Sequence, residues 1–520
     1  MTARLRCLLA AELAAALVLA GCSAFGDEDE AHSAGRHPPV VVLVFDEFPT
    51  DALLRPDGSI DAERYPNFAE LASISTWFPN GYTAYDSTFK AVPSILDGRL
   101  PRERTAADIR SHKPNAFHLM DRLGYDVFKV ESASALCPPD ICPTGRTRRP
   151  GVLARLAGGG RPARFHRWVG AIRRRERPGF YFQHALFPHE PWLYLPSGRQ
   201  SRPAGHDPVA GINQVYGFDD PRLSAHNHLR FLLQLGYTDR LVGELLARLK
   251  RTGLLEESLL IVTADHGYSF KVGAKSRRLL NERNVEEIAV VPIFVKAPGQ
   301  MEGEVNRSLA RNIDLLATIA DLIGTNISWK QAGRSIFSEE VRQRKALSLP
   351  TRDFKQVVSI GIPELERRRA RWRRRWARLF GTGAESALLY GDPWARAYRI
   401  GPHKELLDRR VATLRVRSGG PVTASMANAS LFEQVDRGGK YFPTRVTGPL
   451  RAVPDGDHRD LALAVNGRIR AVGRSFDLRN KRREFFSFVV PESALRTGSN
   501  RLELFEVRPN GSLVRLYGTL

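Results

Sequence analysis

Leu259-Leu260-Ile261-Val262-Thr263-Ala264-Asp265-His266-Gly267 reads as a short buried strand that ends on an acid and an imidazole. The glycine that follows marks a point where the chain turns away. Open α/β sheets place their chemistry at the carboxyl ends of such strands, and Asp265 and His266 are both good ligands for a divalent cation. A second run, Val40-Val41-Val42-Leu43-Val44-Phe45-Asp46-Glu47, delivers two more acids in the same way. Its unbroken apolar character predicts a parallel strand covered on both faces. Between them, Asp86-Ser87-Thr88-Phe89-Lys90-Ala91-Val92-Pro93-Ser94-Ile95-Leu96-Asp97-Gly98 places a hydroxyl pair ahead of a short helix, with Pro93 near its first turn and Gly98 at its end. A hydroxyl at a helix N-terminus is well placed to meet an anionic ester, because free N–H groups and the helix dipole favour negative charge there.

These segments, with Phe187-Pro188-His189-Glu190-Pro191-Trp192, Pro292-Ile293-Phe294-Val295-Lys296-Ala297-Pro298-Gly299 and the 313–324 segment, resemble the alkaline phosphatase/sulfatase superfamily, sulfatase-like branch, in content and order. The resemblance spans residues 38 to 340. It implies an α/β fold with a mostly parallel central sheet sandwiched by helices. One departure matters. Sulfatases of the family carry Cys or Ser in a Cys-x-Pro-x-Arg setting that is oxidised to formylglycine, and the spacing back from Gly98 places Thr88 at that position. Threonine cannot become formylglycine. A threonine nucleophile is what the family's phosphodiesterases and phosphoglycerol transferases use, which directs the expectation towards phosphoryl transfer.

On that resemblance Asp46, Thr88, Asp265 and His266 surround one divalent metal, with Thr88 as nucleophile. Glu47 is read either as a further ligand or as a residue that orients the site. His189 matches the family's substrate-contacting histidine, the other reading being a structural histidine in a Pro-rich loop. Lys271, Arg277 and Arg278 follow the Asp-His-Gly loop, as clasps for an anionic substrate or as solvated surface. Mn, Zn, Mg and Ca are the candidate ions. Mn or Zn is favoured because His266 stands where calcium-binding sulfatases usually carry Asn. A second metal stays open, with His184, His189, His226 and His228 as the available histidines; His184 itself is read as packing.

The first residues describe an export signal. Arg4 and Arg6 precede an apolar stretch from Leu8 to Ala20, and Leu19-Ala20-Gly21-Cys22 matches the bacterial lipobox. Cys22 is therefore expected to become the lipidated first residue of a protein on the extracytoplasmic face of the cell membrane, with residues 22–37 as a tether; the other reading is an unprocessed signal or weak anchor. Cys137 and Cys142 flank a tight Pro-rich loop suited to a disulfide in an oxidising compartment.

Length and charge bound the rest. A chain of 520 residues with 42% hydrophobic content suffices for a large α/β domain and a smaller one. The net charge of +22 points, for an exported lipoprotein, to anionic lipid headgroups or envelope polymers and not to nucleic acid. Much of it crowds one helical stretch, Arg367 to Arg378, which also carries Trp372 and Trp376. That pattern suits a membrane-interface helix or a solvated helix whose tryptophans dock on the main domain. The expected organisation is a signal over 1–21, the tether, a catalytic domain over 38–340, a connecting basic helical region over 341–410 and a C-terminal β-sandwich over 411–520. The hairpin expected around Asn466-Gly467 and strands over 485–490 and 502–507 mark the sandwich.

Two functions of different class follow. One is a metal-dependent hydrolase or transferase cleaving phosphate (di)esters, with sulfate esters as a further option, on envelope polymers or lipid headgroups. The other is a non-catalytic glycan-binding lipoprotein on a degenerate scaffold. The anchor has its own test. Two or more acyl chains suffice for stable attachment, so Cys22→Ser is expected to move the protein from the membrane pellet to the supernatant on fractionation, with a salt-sensitive residue if the basic helix also binds.

Overall fold

Val40–Asp46 (β1) is apolar on both sides because helices cover both faces of the sheet it centres. The computed structural model describes residues 37–142, 160–202, 220–274, 276–454, 456–477 and 484–518; Cys22 and most of the tether lie outside them. Seven strands form the main sheet in the order β3-β4-β1-β5-β6-β2-β7, where β2 is Thr76–Phe78, β3 Asp126–Val130, β4 Gly179–Pro188, β5 Leu259–Ala264, β6 Ile293–Lys296 and β7 Glu304–Val305. β3, β4, β1 and β5 are mutually parallel, and β6 alone runs antiparallel to its neighbours. The mostly parallel sheet expected from the sequence is therefore present.

Alternation divides β1 between two cores. Val41, Leu43 and Phe45 pack with the long Pro221–Arg251 helix, while Val40, Val42 and Val44 pack with the helices Thr88–Asp97, Ala116–Arg122 and Leu315–Leu322. Register sets the site. Val40 lies opposite both Phe180 and Leu259, and Phe45 opposite Ala264, so β1, β4 and β5 end together. A register shift between Phe45 and Asp46 pairs Asp46 with Pro188. Asp239, inside the long helix, is structural: its carboxylate accepts from Phe68 N at 2.8 Å and Asn67 Nδ2 at 2.6 Å, tying down the Pro66–Ser73 helix.

The region after residue 340 holds more structure than its weak periodicity predicts. A hairpin of Ala346–Pro350 (β8) and Val357–Gly361 (β9) precedes the basic helix Ile362–Phe380. The membrane-interface reading of that helix is corrected here. Leu365, Trp372, Trp376 and Phe380 are buried, and Trp372, Trp376 and Phe380 lie in the main core. Trp376 meets the His228 ring edge-on at 4.1 Å between centroids. Arg369, also buried, forms a fork on Asp51 at 2.9 and 3.1 Å and reaches Asn80 at 2.6 Å, while Arg373 adds a third bond to Asp51 at 2.9 Å. A stripe that repeats every three to four residues fits a protein core and a membrane equally well; here the α/β core occupies it. Arg367 and Arg371 on the opposite side remain exposed.

Two sheets of five and four strands pack as the C-terminal β region. Its hairpin joins Asp460–Val465 to Arg468–Arg474, with Asn466 at φ 51° and Gly467 at φ 75°, the conformation an Asn-Gly turn supplies. Glu484–Val489 and Leu502–Val507 are the further strands expected. Backbone bonds from Gln200 N to Lys440 O and from Phe442 N to Gln200 O join this region to the catalytic part, and the main core continues across the junction.

The Asp51 pairing generates a stability prediction. Asp51→Ala leaves two guanidiniums, one of them fully buried, without their carboxylate, which is expected to cost about 3–5 kcal/mol. Urea unfolding of the variant measures it; a loss below about 1 kcal/mol would be that of a solvent-screened pair.

Candidate active site

The end of β5 and the end of β1 are cross-tied. Asp265 N donates to Phe45 O at 2.9 Å, and Phe48 N to His266 O at 2.8 Å. Glu47 adopts the left-handed region at φ 63°, a conformation uncommon for a residue with a side chain, and its N–H donates to Asp265 Oδ1 at 3.3 Å. Gly267 is needed for space and not for a turn: a Cβ there would overlap the Glu287 carbonyl oxygen. The expected glycine turn is thus replaced by a close approach of two backbones.

Thr88 opens its helix, one residue earlier than the sequence suggests, so Pro93 falls in the second turn. Gly98, at φ 69°, closes the helix with its N–H on Ser94 O at 3.0 Å. The Thr88 hydroxyl lies 3.3 Å from His266 Nε2 and 3.5 Å from Asp46 Oδ1, and is 4% exposed as a residue. Asp46, Thr88, Asp265 and His266 are thus gathered around one point. Glu47 and His189 lie beside them, with His189 Nε2 3.5 Å from Glu47 Oε1.

The electrostatics separate the acids. Burial pushes Asp46 well above the usual carboxylate range, with Asp265 adding to the shift, and burial raises Asp265 to about 7. Burial also acts on Glu47, but Arg277, at 2.9 Å, and Arg278, at 3.4 Å, outweigh it and hold that carboxyl below its usual value. His266 is lowered to about 3 by burial, with Arg278 contributing, and His189 likewise to about 3 by burial, with Arg277 contributing. Both imidazoles are therefore neutral at pH 7. Each places its Nδ1 against a backbone carbonyl, Gly267 O at 2.9 Å for His266 and Glu190 O at 2.5 Å for His189. With Nδ1–H donating, each Nε2 is left as a lone pair facing the acids.

These donors fit a divalent cation. Ligand atoms of Asp46, Asp265 and His266 lie within 4.8 Å of one another, all buried. Among the described residues Asp265 Oδ2 has no hydrogen-bond donor, and a buried carboxylate oxygen calls for one or for a cation. A second grouping, Asp46 with Glu47 and His189, shares Asp46. Its Glu47 already meets two guanidiniums, so the charge balance favours one cation, at the first grouping.

Other expected residues are placed as follows. Arg278 lies at the edge of the cluster, half-buried against Glu47. Arg277 bridges Glu47 and Glu190, at 2.9 and 3.0 Å, and is buried, which makes it a framework residue. Lys271 is corrected: its ammonium binds the Glu286 carboxylate at 2.6 Å and the Arg283 carbonyl, and sits over the Trp372 ring. His226 bonds Ser487 at 2.8 Å and His228 stacks on Phe270, so neither joins the cluster. Cys137 and Cys142 form a disulfide, Cα to Cα 6.0 Å, buried away from these groups in the second core.

Two residues escaped the sequence. His184, read as packing, brings Nε2 to 3.7 Å from Asp265 Oδ2 and 3.9 Å from Asp46 Oδ2. A fully buried imidazole on an aromatic strand was the available signal, since such a group needs polar partners. Arg352, at the tip of the β8–β9 hairpin, sets Nε 2.9 Å from Asp86 Oδ1 and Nη2 2.7 Å from Asp86 O. One arginine among 78 basic residues gives no local signal.

Residues 163–325 match the model of the Sulfatase family. Choline-sulfatase of Rhizobium meliloti is 24% identical over 362 residues, 56% of this chain and 68% of that one. Human N-acetylglucosamine-6-sulfatase is 33% identical over 93 residues, 18% of this chain and 16% of that one. Among solved structures, a phosphonate monoester hydrolase from Silicibacter pomeroyi aligns with a TM-score of 0.41 and 18% identity, over 60% of this chain and 79% of that one. Over the matched residues the chain is thus similar to proteins of the Sulfatase family.

The raised carboxyl groups predict how an ion binds. A proton on Asp265 competes with the cation, so apparent Mn²⁺ affinity is expected to fall as pH drops through 7, by about tenfold per unit for each proton displaced. Titration calorimetry at pH 6 in two buffers of different ionisation heat reads the proton release directly. An affinity constant between pH 6 and 7 would contradict it, as would an Asp265→Asn variant that binds Mn²⁺ undiminished.

Proposed function

We propose that this chain is a metal-dependent hydrolase or transferase that cleaves phosphate (di)esters of cell-envelope polymers or lipid headgroups with Thr88 as its nucleophile. The observation that carries the proposal is the Thr88 hydroxyl, 3.3 Å from His266 Nε2 and 3.5 Å from Asp46 Oδ1 at a helix N-terminus. Asp46, Asp265 and His266, with Thr88, would hold one divalent cation. That cation supplies the Lewis acidity that acidifies the hydroxyl and polarises the ester.

In the first half-reaction Thr88 Oγ1 gives up its proton as it bonds to phosphorus, the bond to the leaving alkoxide breaks on the opposite side, and the departing oxygen takes up a proton in turn, so none is gained or lost. Charge on the phosphoryl oxygens is met by the free N–H groups of the Thr88–Asp97 helix and by Arg278, with Arg352 behind it on Asp86. In the second, water or an acceptor alcohol attacks the threonyl phosphate, and Thr88 Oγ1 departs and is reprotonated, which balances the proton lost by the attacking oxygen. His189, neutral with its Nε2 lone pair facing the cluster, accepts the attacking oxygen's proton. The acceptor decides between hydrolysis and transfer.

A sulfate ester is the second reading, favoured by the choline-sulfatase similarity. Thr88 weighs against it because a threonine side chain cannot become the hydrated aldehyde that sulfate chemistry in this family uses. A purely glycan-binding role is disfavoured by the assembled set of Asp46, Thr88, Asp265 and His266, which binding alone does not require. We place the protein, lipid-anchored through Cys22, on the extracytoplasmic face of the membrane, where its high positive charge meets anionic ester polymers.

The test is a panel of p-nitrophenyl phosphate mono- and diesters and p-nitrophenyl sulfate, assayed with added Mn²⁺ or Zn²⁺. Thr88→Ala is expected to lower kcat on the phosphate esters by roughly three orders of magnitude or more, with an unchanged circular dichroism spectrum. A fully active Thr88→Ala beside an inactive Ser87→Ala would transfer the role to Ser87. Preferential turnover of the sulfate would replace the phosphoryl reading.

A further inference from the structure

A cavity of about 540 Å³ lies between the start of the Pro221–Arg251 helix, the end of the basic helix and the C-terminal β region. That volume falls in the roughly 300–1,000 Å³ range of small-molecule sites. Its floor is apolar, with Leu223, Leu229, Phe476 and Phe488 all buried. The hydrogen bond between His226 and Ser487, 2.8 Å, ties one wall to the other, so both sides are in fixed register. None of the residues of the Thr88 cluster lines it.

Its rim is cationic. Arg222, Arg375, Arg378 and Lys404 line the opening and are exposed. Among the described residues none of the four has a carboxylate within 4 Å, and the Arg474 guanidinium is 3.9 Å from Asp460. Burial lowers the Lys404 ammonium, and Arg396 and Arg399 lower it further, which is the response to positive charge left without a counter-ion. The single acid on the rim, Asp220, is engaged: its carboxylate accepts from Arg222 N at 2.7 Å and Leu223 N at 3.2 Å at the helix start.

We propose that this cavity is a binding site for a single-chain anionic amphiphile, with the alkyl chain on the apolar floor and a phosphate, sulfate or carboxylate head among the rim arginines and lysine. The two halves of the site select different halves of the ligand. Apolar burial supplies non-directional affinity at roughly 25 cal/mol per Å², and the guanidiniums supply the preference for an anion. The site is separate from the proposed reaction and does not depend on its being correct.

The probe is decyl phosphate, kept below its micellar concentration and titrated calorimetrically into the full chain. Inorganic phosphate and decyltrimethylammonium are the matched controls, each lacking one half of the ligand. Saturable one-to-one binding of decyl phosphate is expected, at least about tenfold tighter than either control. Arg378→Glu combined with Lys404→Glu, both on the surface, should weaken it at least about tenfold. Binding should survive chelation of divalent ions and the Asp265→Asn exchange, which separates the cavity from the Thr88 cluster. Absence of saturation, equal binding of the cationic control, indifference to the double exchange, or loss on chelation would each overturn the proposal.

Discussion

Two carboxylates held out of water at the ends of adjacent parallel strands set the terms for this molecule. Asp46 and Asp265 come together because β1 and β5 run in register to a common edge, and the backbone ties between Phe45, Asp265, Phe48 and His266 leave neither strand free to withdraw. A buried acid needs a counter-charge or must keep its proton. Glu47, a neighbour in sequence, meets two arginines, whereas Asp46 and Asp265 face the imidazoles of His184 and His266 and remain protonation-prone. Thr88 reaches the acids from a helix N-terminus, and Gly267 lacks a side chain because the Glu287 carbonyl oxygen stands where its Cβ would be.

Arginine makes a second contribution, at a distance from the Thr88 cluster. Asp51, with Arg369 and Arg373, fastens the basic helix to the catalytic domain, and Arg352 fastens the β8–β9 hairpin to Asp86 immediately before Ser87 and Thr88. Residues that follow the catalytic domain in sequence thereby brace it in space. Some of the positive charge is thus internal architecture. The exposed remainder, on the outer side of the helix and around the cavity rim, is what other molecules meet.

Much of this was legible before any coordinates. The unbroken apolar runs at 40–45 and 259–264 announce strands covered on both faces, and acids at their ends announce a site, because both signals are local. The Asn466-Gly467 hairpin is legible for the same reason: its turn demands positive φ from two adjacent residues. His184 was not, since the register shift in β1 and the end of β4 decide which imidazole reaches Asp46 and Asp265. Lys271 followed the Asp-His-Gly loop in sequence but met Glu286, a partner visible only once the Val285–Ile288 helix is folded against it. The tryptophans of the basic helix carried a periodicity that water-excluding surroundings of any kind would satisfy, and the β8–β9 hairpin is short, with its alternation lost among neighbouring polar residues.

The unbroken core between the catalytic sheet and the C-terminal sandwich has a thermodynamic consequence. Side chains such as Phe442, Val446 and Phe488 belong to the same cluster as Tyr194, Tyr237 and Trp394. Two domains that share one interior cannot open independently without exposing apolar surface on both sides, so their denaturation is coupled into a single cooperative transition. A substitution in the sandwich is therefore felt in the folded lifetime of the Thr88 cluster, far from the position changed.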